Sequence, residues 1–384
     1  MNLRFLIFIS IMGSILAAAS YYLGRRTLAW IPWAQKHPVL IWVAVSAFVI
    51  LQIGGPLLYR HFPSRTSWPF VLQWITYGTL GLFTAFLFYT LISDLVIVLW
   101  SKLLQAPPDL ERRAFIAVGI AAFASWGIGI FQALKRPSVY EISVPIKGLA
   151  PEFEGYRIVQ ITDTHIGPIL GKDFVEGIVS IANGLDADAI ALTGDLIDGT
   201  VSDLRVDTAL LRNLKARDGV FFITGNHEYY WGAQEWISEI ASYGIRPLMN
   251  EHVVLTRGKA QLVLAGTPDV GADKFFPEHR FNPKKALEGA PTEAVKVLFT
   301  HRPTGYEEIE ASGFNLMLAG HTHGGQFLPW SVLVAIAHRY HIGLNRFKNL
   351  WIYVSRGTGF WGPPVRFTVP SEISLLRLTG KTIS

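Results

Sequence analysis

The spacing of apolar positions divides the chain into two halves. Up to about residue 136 apolar residues run on almost without interruption, and beyond it they come in short bursts separated by polar turns. In the first half, residues 38–59, 69–100 and 114–134 are long enough to cross a hydrocarbon core, which takes roughly 20 helical residues. Residues 3–23 form a fourth such run, with Arg4 as its charge. Trp30, Trp33, Tyr59, Trp68 and Trp100 stand at or near the ends of these runs, where a bilayer favours aromatic belts. The pattern predicts a four-helix transmembrane region over residues 1–136. Ala17-Ala18-Ala19-Ser20 also fits a signal-peptide cleavage site, but Tyr21, Tyr22, Arg25 and Arg26 follow as they would beyond a retained helix. Asp94 is the acidic residue of these runs, placed near a segment end where headgroup water is within reach.

The second half alternates two periodicities. Residues 137–154 read as a linker leading into an edge strand. Short apolar runs at 157–162, 189–193, 220–224, 295–300 and 315–319 predict buried strands, and residues 253–256 and 261–265 predict a hairpin turning at 257–259. Helical spacing covers 174–182, 205–214 and 233–243, and late strands are expected at 351–355 and 373–378. Strands alternating with helices predict a layered α/β domain over residues 155–384.

Composition sharpens this division. Charged residues make up 16% of the chain, against roughly 25% for a soluble domain. The net charge of +5 is carried without any long basic run, and the pairs Arg25-Arg26, Arg112-Arg113 and Lys135-Arg136 each border an apolar segment. They read as membrane-flanking anchors, so membrane lipids are expected partners and nucleic acid is not. Lys and Arg are almost evenly split between alternate loops, which leaves the side of the catalytic half open. An extracytoplasmic placement on a multi-pass cell-membrane protein is the working expectation. Cysteine is absent, which excludes disulfides and thiolate metal sites.

The candidate chemistry lies in five polar clusters, each directly after a strand-like run. They are Asp163-Thr164-His165, Gly194-Asp195-Leu196-Ile197-Asp198, Gly225-Asn226-His227-Glu228, His301, and Gly320-His321-Thr322-His323. Polar groups at strand ends converge on one rim of a rigid sheet. Carboxylate, amide and imidazole donors without thiolate suit Mn, Fe or Zn ions at a hydrolytic centre.

In this order the clusters resemble the calcineurin-like metallophosphoesterase superfamily, and within it the membrane-linked bacterial branch. Ser355-Arg356-Gly357-Thr358-Gly359 and Pro370-Ser371-Glu372-Ile373 add to the likeness. The resemblance covers about residues 155–378 and implies an α/β/β/α sandwich with two divalent metal ions. It implies that Asp163, His165 and His323 hold one ion, that Asn226, His301 and His321 hold the other, and that Asp195 bridges them. His227 matches the histidine that meets the substrate phosphate or leaving group. Asp198 and Glu228 are expected to order loops, with a helix N-cap or a turn as the plain reading of Asp198.

The function expected is a membrane-anchored phosphoesterase cleaving phosphomonoesters or phosphodiesters by attack of a metal-bridging hydroxide. The membrane half makes a lipid-linked phosphate ester a reasonable substrate. Two alternatives stay open: a nucleotide or nucleotide-sugar pyrophosphate hydrolase, and a phosphate-binding membrane receptor without turnover. The apolar stretch Phe327–Ile336 beside the last cluster reads as core or loop packing, with a segment that dips into the bilayer as the other reading. His338 and His341 fall outside every motif and read as surface residues.

Overall fold

A computed structural model of the chain describes residues 3–61, 67–103 and 110–381. They divide into two compact units, Met1–Phe131 with Gly362–Phe367 and Gln132–Trp361 with Thr368–Ser384.

The first unit is helical: α1 (Leu3–Trp30), α2 (Pro32–Lys36), α3 (Pro38–His61), α4 (Ser67–Leu103) and α5 (Leu110–Leu134), whose last residues belong to the second unit. Among the described residues three helices are long and apolar enough to cross a membrane, at Pro38–Leu58, Phe70–Leu103 and Leu110–Leu134. The first apolar run forms the 28-residue α1. Several polar groups inside this unit are paired across helices, as a low dielectric favours. The Asp94 carboxylate accepts hydrogen bonds from Tyr22 and Arg26 across from α1, so it is an ion-pair partner rather than a group left to headgroup water. Gln52 Nε2 donates to Thr76 O and Thr79 Oγ1, and Trp126 Nε1 donates to Gly78 O. The segment Gly362–Phe367 packs here as well. Val365 Cγ1 lies 2.5 Å from where a Cβ on Gly129 would stand, and the Arg366 N–H donates to Gly129 O at 2.9 Å.

The second unit is the layered sandwich that the alternation of strand and helix predicts. Its elements are β1 (Ser138–Pro145), β2 (Arg157–Ile161), α6 (Lys172–Asn183), β3 (Ala189–Thr193), α7 (Val201–Thr208), β4 (Gly219–Ile223), α8 (Asn226–Tyr230) and α9 (Ala233–Ser242). There follow β5 (Arg246–Pro247), β6 (Glu251–Arg257), β7 (Ala260–Gly266), β8 (Val295–Phe299), α10 (Tyr306–Ala311), β9 (Leu316–Ala319), α11 (Trp330–Ala337), β10 (Gly343–Phe347), β11 (Leu350–Val354) and β12 (Glu372–Thr379). One sheet has the order β1-β12-β2-β3-β4-β5 and the other β10-β11-β9-β8-β7-β6. β2, β3, β4 and β5 run parallel, as do β7, β8, β9 and β11. Central strands buried on both faces explain the runs without alternation.

Three apolar layers hold these sheets. Ile158, Ala191, Phe221 and Ile223 of one sheet meet Leu262, Leu264, Val297, Phe299 and Leu318 of the other. On the outer face of the first sheet, Val159, Ile190 and Phe222 pack against Val175 and Ile178 of α6, Leu204 of α7 and Trp236 of α9. On the outer face of the second, Val263, Leu298 and Met317 pack on Ile309 of α10. Each fully buried aliphatic or aromatic side chain contributes about 1.5–3 kcal/mol. The helix expected at 205–214 starts earlier: α7 opens after Thr200 and tightens into a 3₁₀ turn at Ala209–Asn213.

Trp236 tests this core. It is fully buried, and its Nε1 donates to Gly199 O at 3.0 Å, in the loop that carries Asp198. Trp236→Ala should destabilise the unit by about 3–5 kcal/mol in denaturant unfolding of the detergent-solubilised protein. Val206→Ala, exposed on α7, should stay within about 0.5 kcal/mol. Equal effects from the two would contradict this packing.

Candidate metal centre

The five polar clusters follow the carboxyl ends of β2, β3, β4, β8 and β9, which are parallel within their sheets. The loops are joined through main-chain bonds: Asp163 N–H donates to Gly194 O, His165 N–H to Asp195 O, and Gly320 N–H to His301 O. Asp163, His165, Asp195, His321 and His323 all have positive φ, between 46° and 71°. For residues with a Cβ this left-handed backbone costs about 1–2 kcal/mol each. Such strain persists only where the surroundings over-determine it, and it concentrates at functional sites.

The side chains form two facing groups. In the first, His165 Nε2 lies 3.1 Å from His323 Nε2, which is 3.4 Å from Asp163 Oδ1. In the second, His301 Nε2 lies 3.1 Å from Asp195 Oδ2 and 3.2 Å from His321 Nδ1. Each trio gathers its donor atoms closely enough to hold a metal ion. Asn226 adds a buried Oδ1 without a hydrogen-bond partner among the described residues. A buried amide oxygen left unsatisfied is costly, and a cation would satisfy it. Facing imidazole nitrogens cannot all carry protons at these separations, and a shared cation relieves them. Oxygen and imidazole donors of this kind fit Mn, Fe or Zn ions.

Carboxylates fix the frame. Asp163 accepts the His321 N–H with both oxygens at 3.0 Å, and Asp195 Oδ1 accepts the His227 N–H at 2.8 Å. Glu228 accepts three main-chain N–H groups, from Gly225 at 2.6 Å, Leu196 at 2.8 Å and Asp195 at 3.0 Å. The His301 Nδ1–H donates to Thr193 O at 2.9 Å, which turns Nε2 toward Asp195. Gly320 is required by close approach: a Cβ there would stand 2.2 Å from Asp163 Oδ2.

His227 sits against both groups. Its Nδ1 is hydrogen-bonded to Asp198 Oδ1, and its Nε2 lies 3.8 Å from Asp195 Oδ2. Asp198 Oδ2 is also 3.2 Å from His165 Nδ1. The N-cap of α7 is Thr200, so Asp198 is no cap; it orients histidines. Burial opposes charge on His227, but Asp195 and Asp198 outweigh it and the imidazole is pushed up to about 9. Burial opposes charge on His301 too, and Asp195 lifts it to about 10. Burial, aided by His301, holds His321 well below the usual histidine range. Burial and the nearby Asp195 push Glu228 up to about 7 despite its three donors. The protein's own groups thus create a negative field that draws positive charge to the centre.

Sequence reasoning missed Tyr230 and Trp361 at the rim. Tyr230 and Trp361, both largely exposed, lie 5.3 and 6.0 Å from the His227 ring, and Phe275 lies 6.1 Å from Tyr230. Tyr230 closes α8 three residues after His227, and Trp361 is a single aromatic in a loop, which carries no sequence signal. His338 and His341 join no metal-capable group among the described residues.

The comparisons agree with this architecture. Residues 156–325 match the model of the calcineurin-like phosphoesterase domain. A "transmembrane protein with metallophosphoesterase domain" from Danio rerio is 31% identical over 97% of this chain and 88% of its own length. An uncharacterized metallophosphoesterase of Campylobacter jejuni is 30% identical over 98% and 99%, and one of Helicobacter pylori 37% identical over 70% and 72%. With its ordered motifs, its two-sheet fold and relatives matched over nearly their whole length, the chain belongs to the calcineurin-like metallophosphoesterase family.

Proposed function

We propose that this membrane protein is a dinuclear-metal phosphoesterase acting on phosphomonoesters or phosphodiesters. The observation that carries the reading is the pair of facing trios, Asp163–His165–His323 and Asp195–His301–His321, with the unsatisfied Oδ1 of Asn226 beside them. Asp163, His165 and His323 would hold one ion, Asn226, His301 and His321 the other, and Asp195 both. Two divalent ions there would supply Lewis-acid stabilisation of the phosphoryl group and a nucleophile at neutral pH.

The chain's own residues do the rest. Asp198 fixes the His227 ring through Nδ1, and this leaves Nε2 directed at the centre, 3.8 Å from Asp195. An Nε2–H in that position donates to a phosphoryl oxygen or to the departing alkoxide. Such a positioned acid contributes about 10²–10⁴ in rate. A phosphate-binding receptor without turnover has no use for a histidine oriented in this way. No serine or cysteine nucleophile is called for.

Purified full-length protein loaded with Mn²⁺ should hydrolyse bis-p-nitrophenyl phosphate or p-nitrophenyl phosphate and lose that turnover on chelation. Asp195→Asn should abolish it together with metal content. His227→Ala should lower kcat by about 10²–10⁴ while metal content is retained. Full metal loading without turnover of either ester would favour the receptor reading, and undiminished turnover in both variants would refute these roles.

A second expectation concerns Gly320. Gly320→Ala must displace the Asp163 carboxylate, so metal per chain should fall by about half, read by elemental analysis, because only one trio is disrupted. Unchanged metal content would remove Asp163 from the ligand set.

A further inference from the structure

The helix α11, Trp330–Ala337, breaks the rule that a water-facing helix is polar on its outer side. Seven of its eight residues are apolar, and none of the eight is buried. Trp330 is 44% exposed, Val332 and Leu333 49% each, and Ile336 79%. The reading of this stretch as core holds for Phe327, which is buried, and fails for the helix. An exposed apolar patch of this kind marks an interaction surface.

Three observations select a lipid bilayer as its occupant. The same chain carries three helices long and apolar enough to cross a membrane, so a bilayer is always tethered to this unit. The helix contains no charge, whereas His338-Arg339-Tyr340-His341 follows it at once, with the Arg339 guanidinium 5.3 Å over the Tyr340 ring. An uncharged apolar segment closed by an exposed arginine fits a helix seated at the headgroup level. The cation also complements anionic lipid phosphates.

The helix is built onto the metal loop. It begins seven residues after His323, and a Cβ on Gly325 would stand 2.4 Å from Ser331 Cα. Between them Gln326 is locked to the rim: its Oε1 accepts the Trp361 N–H at 2.7 Å and its Nε2 donates to Trp361 O at 2.9 Å. Trp361, 55% exposed, presents its ring to His227. The metal loop, the apolar helix and the aromatic rim over His227 therefore form one connected piece.

We propose that α11 lies in the bilayer interface and that the centre beside it acts on phosphate esters borne by membrane lipids. This rests on the phosphoesterase reading above and names its substrate class. Seating α11 brings lipid headgroups to the metal loop, and Trp361, Tyr230 and Phe275 offer apolar surface to the glycerol and upper acyl region.

The chain has no cysteine, so Ile336→Cys accepts a single nitrobenzoxadiazole label in the full-length protein reconstituted in phosphatidylcholine–phosphatidylglycerol vesicles. The label should emit to the blue and be quenched by nitroxide-bearing lipid but not by aqueous iodide. Quenching by iodide alone would overturn the proposal. So would a blue shift that grows with protein density and ignores nitroxide lipid, which would make a second copy of the chain the occupant. In parallel, the Leu333→Asp/Ile336→Asp double variant should lose about tenfold or more on dioleoyl phosphatidate or dioleoyl phosphatidylglycerol in vesicles. The same variant should keep bis-p-nitrophenyl phosphate turnover within about twofold, since neither residue touches the centre. Equal losses on all esters, or no wild-type turnover of either lipid, would overturn the substrate assignment. The depth measurement needs no turnover, so failure of the phosphoesterase reading shows separately, as wild-type protein inactive on bis-p-nitrophenyl phosphate.

Discussion

The centre depends on carboxylates that accept main-chain N–H bonds from neighbouring loops. Glu228 ties the loop after β3 to the loop after β4, Asp195 takes the N–H of His227, and Asp163 takes that of His321 from the other sheet. Each bond to a charged acceptor is worth about 1.5–3 kcal/mol. Several together offset the left-handed backbone at five of the proposed ligands. The strain and the bonds are parts of one design: the loops turn sharply enough to aim side chains inward because buried carboxylates hold their backbones in place.

That design explains why ionisable groups accumulate where the sheets meet. Asp163, His165, Asp195, His301 and His323 are all buried, and water cannot compensate charges there. Within the protein the imidazoles face carboxylates and one another at 3.1–3.4 Å. The nitrogen pairs His165–His323 and His301–His321 are poorly satisfied by protons alone, because two facing nitrogens that both carry one confront each other as donors. Cations resolve the conflict, which is why the donor chemistry matters more than the count of ligands.

Much of this was legible in the sequence, for identifiable reasons. Buried parallel strands announce themselves as uninterrupted apolar runs, and β2, β3, β8 and β9 fall within a residue of where their runs predict. The polar clusters stand out because they terminate those runs. Asp198 was harder: a carboxylate five residues past β3 reads equally as a cap, and its contact with His227 spans 29 positions of sequence. The exposure of α11 stayed undecided, since WSVLVAIA has the composition of a core helix as well as of a bilayer-dipping segment, and only the fold reveals that nothing in this unit covers it. Trp361 reaches His227 through tertiary packing that no periodicity encodes, whereas Tyr230 meets it as a neighbour three residues on along α8.

The segment after Trp361 carries the argument one step further. Gly362–Phe367 leaves the catalytic unit and packs with the helices, where Val365 lies against Gly81 and Gly129 and the Arg366 N–H is satisfied by Gly129 O. Glycines at 81 and 129 are what let Val365 approach two helix backbones. In the fragment 132–384 alone, the buried Arg366 and Val365 would lose those partners. This segment follows Trp361, and Trp361 is held by Gln326 of the metal loop. An anchor of interchangeable apolar helices would need no such glycines. Helices that receive Val365 and Arg366 must instead match them residue by residue.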